Sequence, residues 1–71
     1  MSERVMYVKP GCPYCESMRA RLREQGLDWE ERDATTSREL RDQLYSHSPR
    51  GVVPTIVEAS GTVTVGYDGH G

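Results

Sequence analysis

Seventy-one residues leave room for one small domain, whose core is marginally stable without further support. Nine Lys and Arg stand against eleven Asp and Glu, a formal charge of −2, a balance that recommends neither nucleic acid nor an anionic membrane as a partner. No stretch approaches the ~20 apolar residues of a membrane span, and MSERVMYVKP lacks an apolar run behind a positive start, so the expected location is cytoplasmic.

Arg4-Val5-Met6-Tyr7-Val8 is apolar on both alternating faces, as a strand covered on both sides is, and reads as a central strand. After the turn residues Lys9-Pro10-Gly11, the segment from Pro13 to Gln25 sets Cys15, Met18 and Leu22 on one stripe among Glu16, Arg19, Arg21, Arg23 and Glu24. That spacing predicts an amphipathic helix, with Gly26 as its stop. Leu27 to Asp33 reads as a second strand, so charged that it belongs at a sheet edge.

Thr36-Ser37-Arg38-Glu39 matches a capping box, with Thr36 and Glu39 satisfying amides at a helix start. Leu40, Leu44 and Tyr45 supply the buried side of that helix, which runs to about Ser46. Ser48-Pro49-Arg50-Gly51 breaks it. Pro54 to Glu58 and Thr62 to Val65 then flank Ala59-Ser60-Gly61, the pattern of a hairpin. The order βαβαββ implies an α/β domain over residues 1–71: a right-handed parallel crossover, a closing antiparallel hairpin, and a four-stranded mixed sheet with helices on its faces. No repeat, linker or low-complexity tract interrupts it.

The only two cysteines stand in Cys12-Pro13-Tyr14-Cys15. Two cysteines this close point to catalysis or metal more than to a structural staple. Cys12 falls at the amino end of the first helix, where unpaired amides and the helix dipole favour an anion, and Lys9 is three residues before it; both favour the thiolate that attacks disulfides. Cys12 is the candidate nucleophile. Pro13 suits the first helical turn, and that turn carries Cys15 back beneath Cys12, within reach of a disulfide, as the candidate resolving thiol. An idle surface thiol and a buried helix cysteine are the plain alternative, and a metal site another. Zinc, however, needs four ligands, and the other ordinary donors are His47, at a helix end, and His70, in a tail, neither with a companion cysteine pair. A C-x-x-C that follows a strand and opens a helix in a βαβ unit is the redox arrangement.

With these residues the chain resembles a glutaredoxin of the thioredoxin-fold superfamily, dithiol CPYC type. Cys12-Pro13-Tyr14-Cys15 is the family motif as it stands, Val53-Pro54-Thr55 resembles its Val-Pro segment, and Gly66-Tyr67-Asp68 its later glycine-aspartate element. The resemblance runs from Val5 to Asp68. It implies a cis Pro54 facing Cys12, and a sulfur-linked peptide that pairs with the backbone of Val53 as an added strand. It also implies glutathione as co-substrate, lying between the Cys12 loop and Pro54. Its glycine carboxylate would meet Lys9 and Arg41 or Arg50, its γ-glutamyl amine Asp68, and Tyr14 would cover one side.

Two departures qualify that picture. Val65 precedes a single Gly66 where the family pairs two glycines, and the chain ends before the further helix that the family carries over one sheet face. The expectation from the second is an uncovered face, low stability and self-association. The implied reaction is thiol-disulfide exchange on protein disulfides or glutathione mixed disulfides, with no metal or organic cofactor and a potential of roughly −200 to −230 mV. Two alternatives share the cysteines: a redoxin recharged by thioredoxin reductase, an electron donor to a protein such as ribonucleotide reductase, and a non-enzymatic dimer that holds an iron-sulfur cluster.

Overall fold

Six elements follow one another as β1 (Val5–Val8), α1 (Pro13–Glu24), β2 (Glu30–Asp33), α2 (Arg38–His47), β3 (Thr55–Val57) and β4 (Val63–Val65) in the computed structural model, which describes residues 4–68. His70 lies outside the described residues. The sheet order is β2-β1-β3-β4. β1 runs parallel to β2, with Val8 opposite Asp33, and antiparallel to β3, with Met6 opposite Ile56; β3 and β4 form the hairpin, with Ile56 opposite Thr64. The mixed four-stranded sheet expected from the element order is therefore present.

β1 sits at its centre because three of its four side chains are buried. Met6, Tyr7 and Val8 are 0, 3 and 5 % exposed although successive side chains leave opposite faces, so both faces are covered. Cys15, Met18 and Leu22 of α1 and Leu44 of α2 join them in one buried cluster with Ala34, Val53 and Ile56. The charged strand β2 is at an edge, as its composition demands.

Three local expectations shift, two for hydrogen-bonding reasons and one through packing on a glycine. Leu27 belongs to the end of α1 and not to β2: its N–H donates to the Leu22 carbonyl and that of Gly26 to the Arg23 carbonyl, with Gly26 at φ +68°. This is a Schellman close, in which Leu27 also folds back towards Leu22. The strand begins only at Glu30, whose N–H donates to the Arg4 carbonyl at 2.8 Å.

The cap of α2 is Ser37, whose hydroxyl accepts from the Leu40 N–H. Thr36 is not the cap because its N–H and its hydroxyl both donate to the Asp33 carbonyl, closing a turn that delays the helix by one residue. Tyr45, expected on the buried side, is exposed. Its ring lies over Gly51, where a Cβ would come within 2.6 Å of the Tyr45 Cζ.

Arg4 ties the sheet ends together through Nε and Nη2 on Glu58 Oε1, and Arg19 grips both carboxylate oxygens of Glu31 at 2.7 and 2.8 Å, binding α1 to β2. No helix among the described residues is long and apolar enough to cross a membrane.

Candidate active site

The site forms where the start of α1 meets the loop before β3. Cys12 is the N-cap of α1, with extended backbone (φ −87°, ψ 111°) and Pro13 as the first helical residue. A cap side chain normally offers oxygen to a free amide; here sulfur takes that place, and the Cys15 N–H donates to Cys12 Sγ at 3.3 Å. Cys12 and Cys15 are free thiols. Cys15, fully buried, has its thiol pushed up from 9.0 to about 12, first by burial and then by its hydrogen bond with Cys12.

The other half of the site comes from an ordered loop. The Ser48 N–H donates to the Leu44 carbonyl, the Ser48 hydroxyl accepts from the Val52 N–H, and the Thr55 hydroxyl donates to the Val52 carbonyl at 2.6 Å. Ser48 and Thr55 are buried, so these bonds are shielded from water, and they fix the chain on both sides of Val53 and Pro54. The Val53-Pro54 peptide is cis, as the resemblance implied. The Cys12 thiol points at the Val53 carbonyl oxygen, 3.8 Å away. The Pro54 carbonyl accepts from the Gly66 N–H at 2.7 Å, which ties the end of β4 to the same loop.

An open depression of about 370 Å³ adjoins the sulfur, lined by Lys9, Gly11, Cys12, Pro13, Glu16 and Arg19. Arg19 is paired with both Glu16 and Glu31. Lys9 has no carboxylate within ion-pair distance among the described residues, so its charge is available to an incoming anion. Tyr14, on the first turn of α1, is 37 % exposed.

The remaining expected residues are dispersed. Asp68, at φ +50°, receives both Nη1 and Nη2 of Arg21 at 3.1 and 2.9 Å, and the same guanidinium lies 4.2 Å from the Tyr67 ring centre. Arg41 lines a second groove, along α2, and leans over the Tyr45 ring at 5.7 Å. Arg50 is exposed in the loop three residues before Val53. Sequence reasoning missed Arg21 as the partner of Asp68 and missed Ser48 and Thr55 as the braces of the loop. Nothing in a lone arginine marks the former; a serine and a threonine flanking Val-Pro hinted at the latter. Among the described residues no cluster of three or more His, Cys, Asp or Glu is arranged to hold a metal ion.

A glutaredoxin family model matches residues 5–61, well over half of the chain, and that stretch contains both cysteines and the Val53-Pro54 loop. The chain belongs to the glutaredoxin family. It is similar to the glutaredoxin of Brucella melitensis, with 35 % identity and a TM-score of 0.77 over 96 % of this chain and 73 % of that one. It is similar also to the glutaredoxin grx-1 of Archaeoglobus fulgidus, with 26 % identity and a TM-score of 0.76 over 94 % and 77 %. A further likeness is to the thioredoxin-like protein BC3987, with 26 % identity and a TM-score of 0.74 over 90 % and 86 %. No curated protein matches the sequence. The fold is thioredoxin-like, and fold and glutaredoxin family together support a thiol-disulfide oxidoreductase kind of function.

Proposed function

We propose that this glutaredoxin is a glutathione-linked thiol-disulfide oxidoreductase in which Cys12 attacks and Cys15 resolves. The observation that carries the reading is the placement of Cys12 Sγ between the Cys15 N–H and the Val53 carbonyl, at the edge of a depression whose unpaired cation is Lys9. The Cys12 thiolate attacks a mixed disulfide of a protein and glutathione, forms a Cys12-glutathione disulfide and releases the protein thiolate. A second glutathione then attacks, yielding glutathione disulfide and restoring Cys12. On a protein disulfide, Cys15 attacks the mixed disulfide instead, and two glutathiones reduce the resulting Cys12-Cys15 bridge.

The raised Cys15 thiol supports the first route as the faster one, since Cys15 must lose its proton before it can attack. Glutathione lies along the loop, its cysteine backbone beside Val53 and Pro54, its glycine carboxylate near Lys9 with Arg41 or Arg50, its γ-glutamyl amine near Asp68, and Tyr14 at one side. Val63 and Val65, exposed on the edge strand β4, make a second copy of the chain a further partner, to be read by light scattering.

Two parallel NADPH-consumption assays on the oxidised protein test the proposal. Fast reduction by glutathione with glutathione reductase is expected. Turnover with thioredoxin reductase alone would keep the cysteine chemistry and overturn the glutathione site.

A further inference from the structure

The cations of this chain fall into two groups. Among the described residues Arg4, Arg19, Arg21 and Arg32 pair with carboxylates, whereas Lys9, Arg38, Arg41 and Arg50 have none within ion-pair distance. Arg23 is also without an ion pair, but it leans over Trp29 at the far end of α1. Two of the unpaired cations, Arg38 and Arg41, line the same surface. An open groove of about 1070 Å³ runs along α2 from Ala34 past Arg38 and Arg41 to Tyr45.

At one end Ala34 belongs to the buried cluster that contains Cys12 and Val53, and its N–H donates to the carbonyl of Val8, the residue before Lys9. At the other end Tyr45 lies on Gly51, the neighbour of Arg50. At the start of α2 the Leu40 amide is already taken by the Ser37 hydroxyl, so the attraction rests on the two guanidiniums. One carboxylate, Asp42, lines the groove against two guanidiniums, in a chain whose formal charge is −2. This local reversal of sign favours an anionic partner.

We infer that this groove takes an acidic segment of the disulfide-bearing client protein, with Arg38 and Arg41 receiving carboxylates next to the cysteine that Cys12 attacks. The inference deepens the proposed function and rests on Cys12 as the attacking sulfur. Ala34, at the end of the groove, shares a buried cluster with Cys12, and an extended client advances about 3.3 Å per residue, so the acidic side chains to vary are those flanking its cysteine. Arg38 has no part in the proposed glutathione contacts, which makes it the residue to change.

The experiment follows peptides whose single cysteine is linked to thionitrobenzoate, reacted with the Cys15→Ser protein. Cys12 thiolate attacks the peptide sulfur, a Cys12-peptide disulfide forms, and thionitrobenzoate leaves as a coloured thiolate, so no glutathione is needed. Acidic flanks are expected to react about tenfold faster than basic flanks at low salt, with the gap closing at high salt. Arg38→Glu removes most of that preference and Arg38→Gln part of it, while the rate with hydroxyethyl disulfide stays unchanged. Equal rates for acidic and basic peptides would overturn the inference, as would a preference that survives Arg38→Glu. Failure with every peptide would overturn the role of Cys12, and the inference with it.

Discussion

Cys12 Sγ and the carbonyl oxygen of Val53 stand 3.8 Å apart, although 41 residues separate them in sequence. The contact joins the start of α1 to the loop ahead of β3, and it exists because each side is fixed independently. Pro13 and the cap bond set the sulfur; Ser48, Val52 and Thr55 set the carbonyl. A disulfide that reaches Cys12 therefore meets backbone polar groups already in position, a preorganisation that costs nothing at the moment of reaction.

Replacing the two cysteines one at a time separates their roles. Cys12→Ser should lose deglutathionylation and disulfide reduction by on the order of a thousandfold or more, the scale seen when a nucleophile is removed. Cys15→Ser should keep deglutathionylation and lose reduction of protein disulfides. Turnover of a glutathionylated peptide with glutathione reductase reads both; an active Cys12→Ser protein would show that the nucleophile lies elsewhere.

The pH dependence of stability should carry the mark of Cys15. Its thiol is raised from 9.0 to about 12 when folded, so the folded chain keeps a proton that the unfolded chain releases near pH 9.0. The contribution is complete below that point and is lost as pH climbs towards 12. The unfolding free energy from urea titrations is thus expected to fall above about pH 9, by at most ~1.4 kcal/mol per pH unit from this group. Cys15→Ala should flatten the decline; an identical slope in that variant would assign it to other groups.

Asp68 is shared between a present partner and a proposed one. It holds Arg21 with both oxygens, and the γ-glutamyl amine of glutathione would join the same carboxylate. Asp68→Asn is expected to raise the KM for glutathione about fivefold with kcat unchanged, the loss of one charge-assisted contact. An unmoved KM would remove Asp68 from the glutathione site and leave its pairing with Arg21 as a structural contact.

Gly51 has φ +64°, and a Cβ there would strike the Tyr45 ring. Gly51→Ala should cost about 1–2 kcal/mol from the left-handed backbone alone, plus whatever displacement of the ring adds. Adding Tyr45→Ala relieves the crowding and leaves the backbone cost. If urea denaturation finds no loss in Gly51→Ala, the loop adopts another conformation.

The sequence carried the architecture because periodicity is a property of neighbours. An apolar run at β1, a stripe at Cys15, Met18 and Leu22, and a charged β2 each announce where they must sit, and the cysteine motif announces its chemistry. It was less informative wherever two local signals competed. Thr36 and Ser37 are both able to cap; the choice fell to Ser37 because Asp33 occupies Thr36, a contact across a turn that no capping pattern encodes. Tyr45 sits at the right helical spacing to be buried, yet it is exposed with its ring over Gly51, a contact six positions on that helical spacing does not encode. The pairing of Arg21 with Asp68 spans 47 positions and rests wholly on the folded geometry.

The sulfur at the cap of α1 has one more consequence. In the proposed cycle that atom passes between thiolate and disulfide, and a thiolate is the stronger acceptor for the Cys15 N–H. The first turn of α1 is thus fastened and loosened once per turnover. If that cycle operates, the chain carries its own gauge of oxidation: the Cys15 amide hydrogen is expected to exchange with solvent faster when the thiols are oxidised and slower when they are reduced.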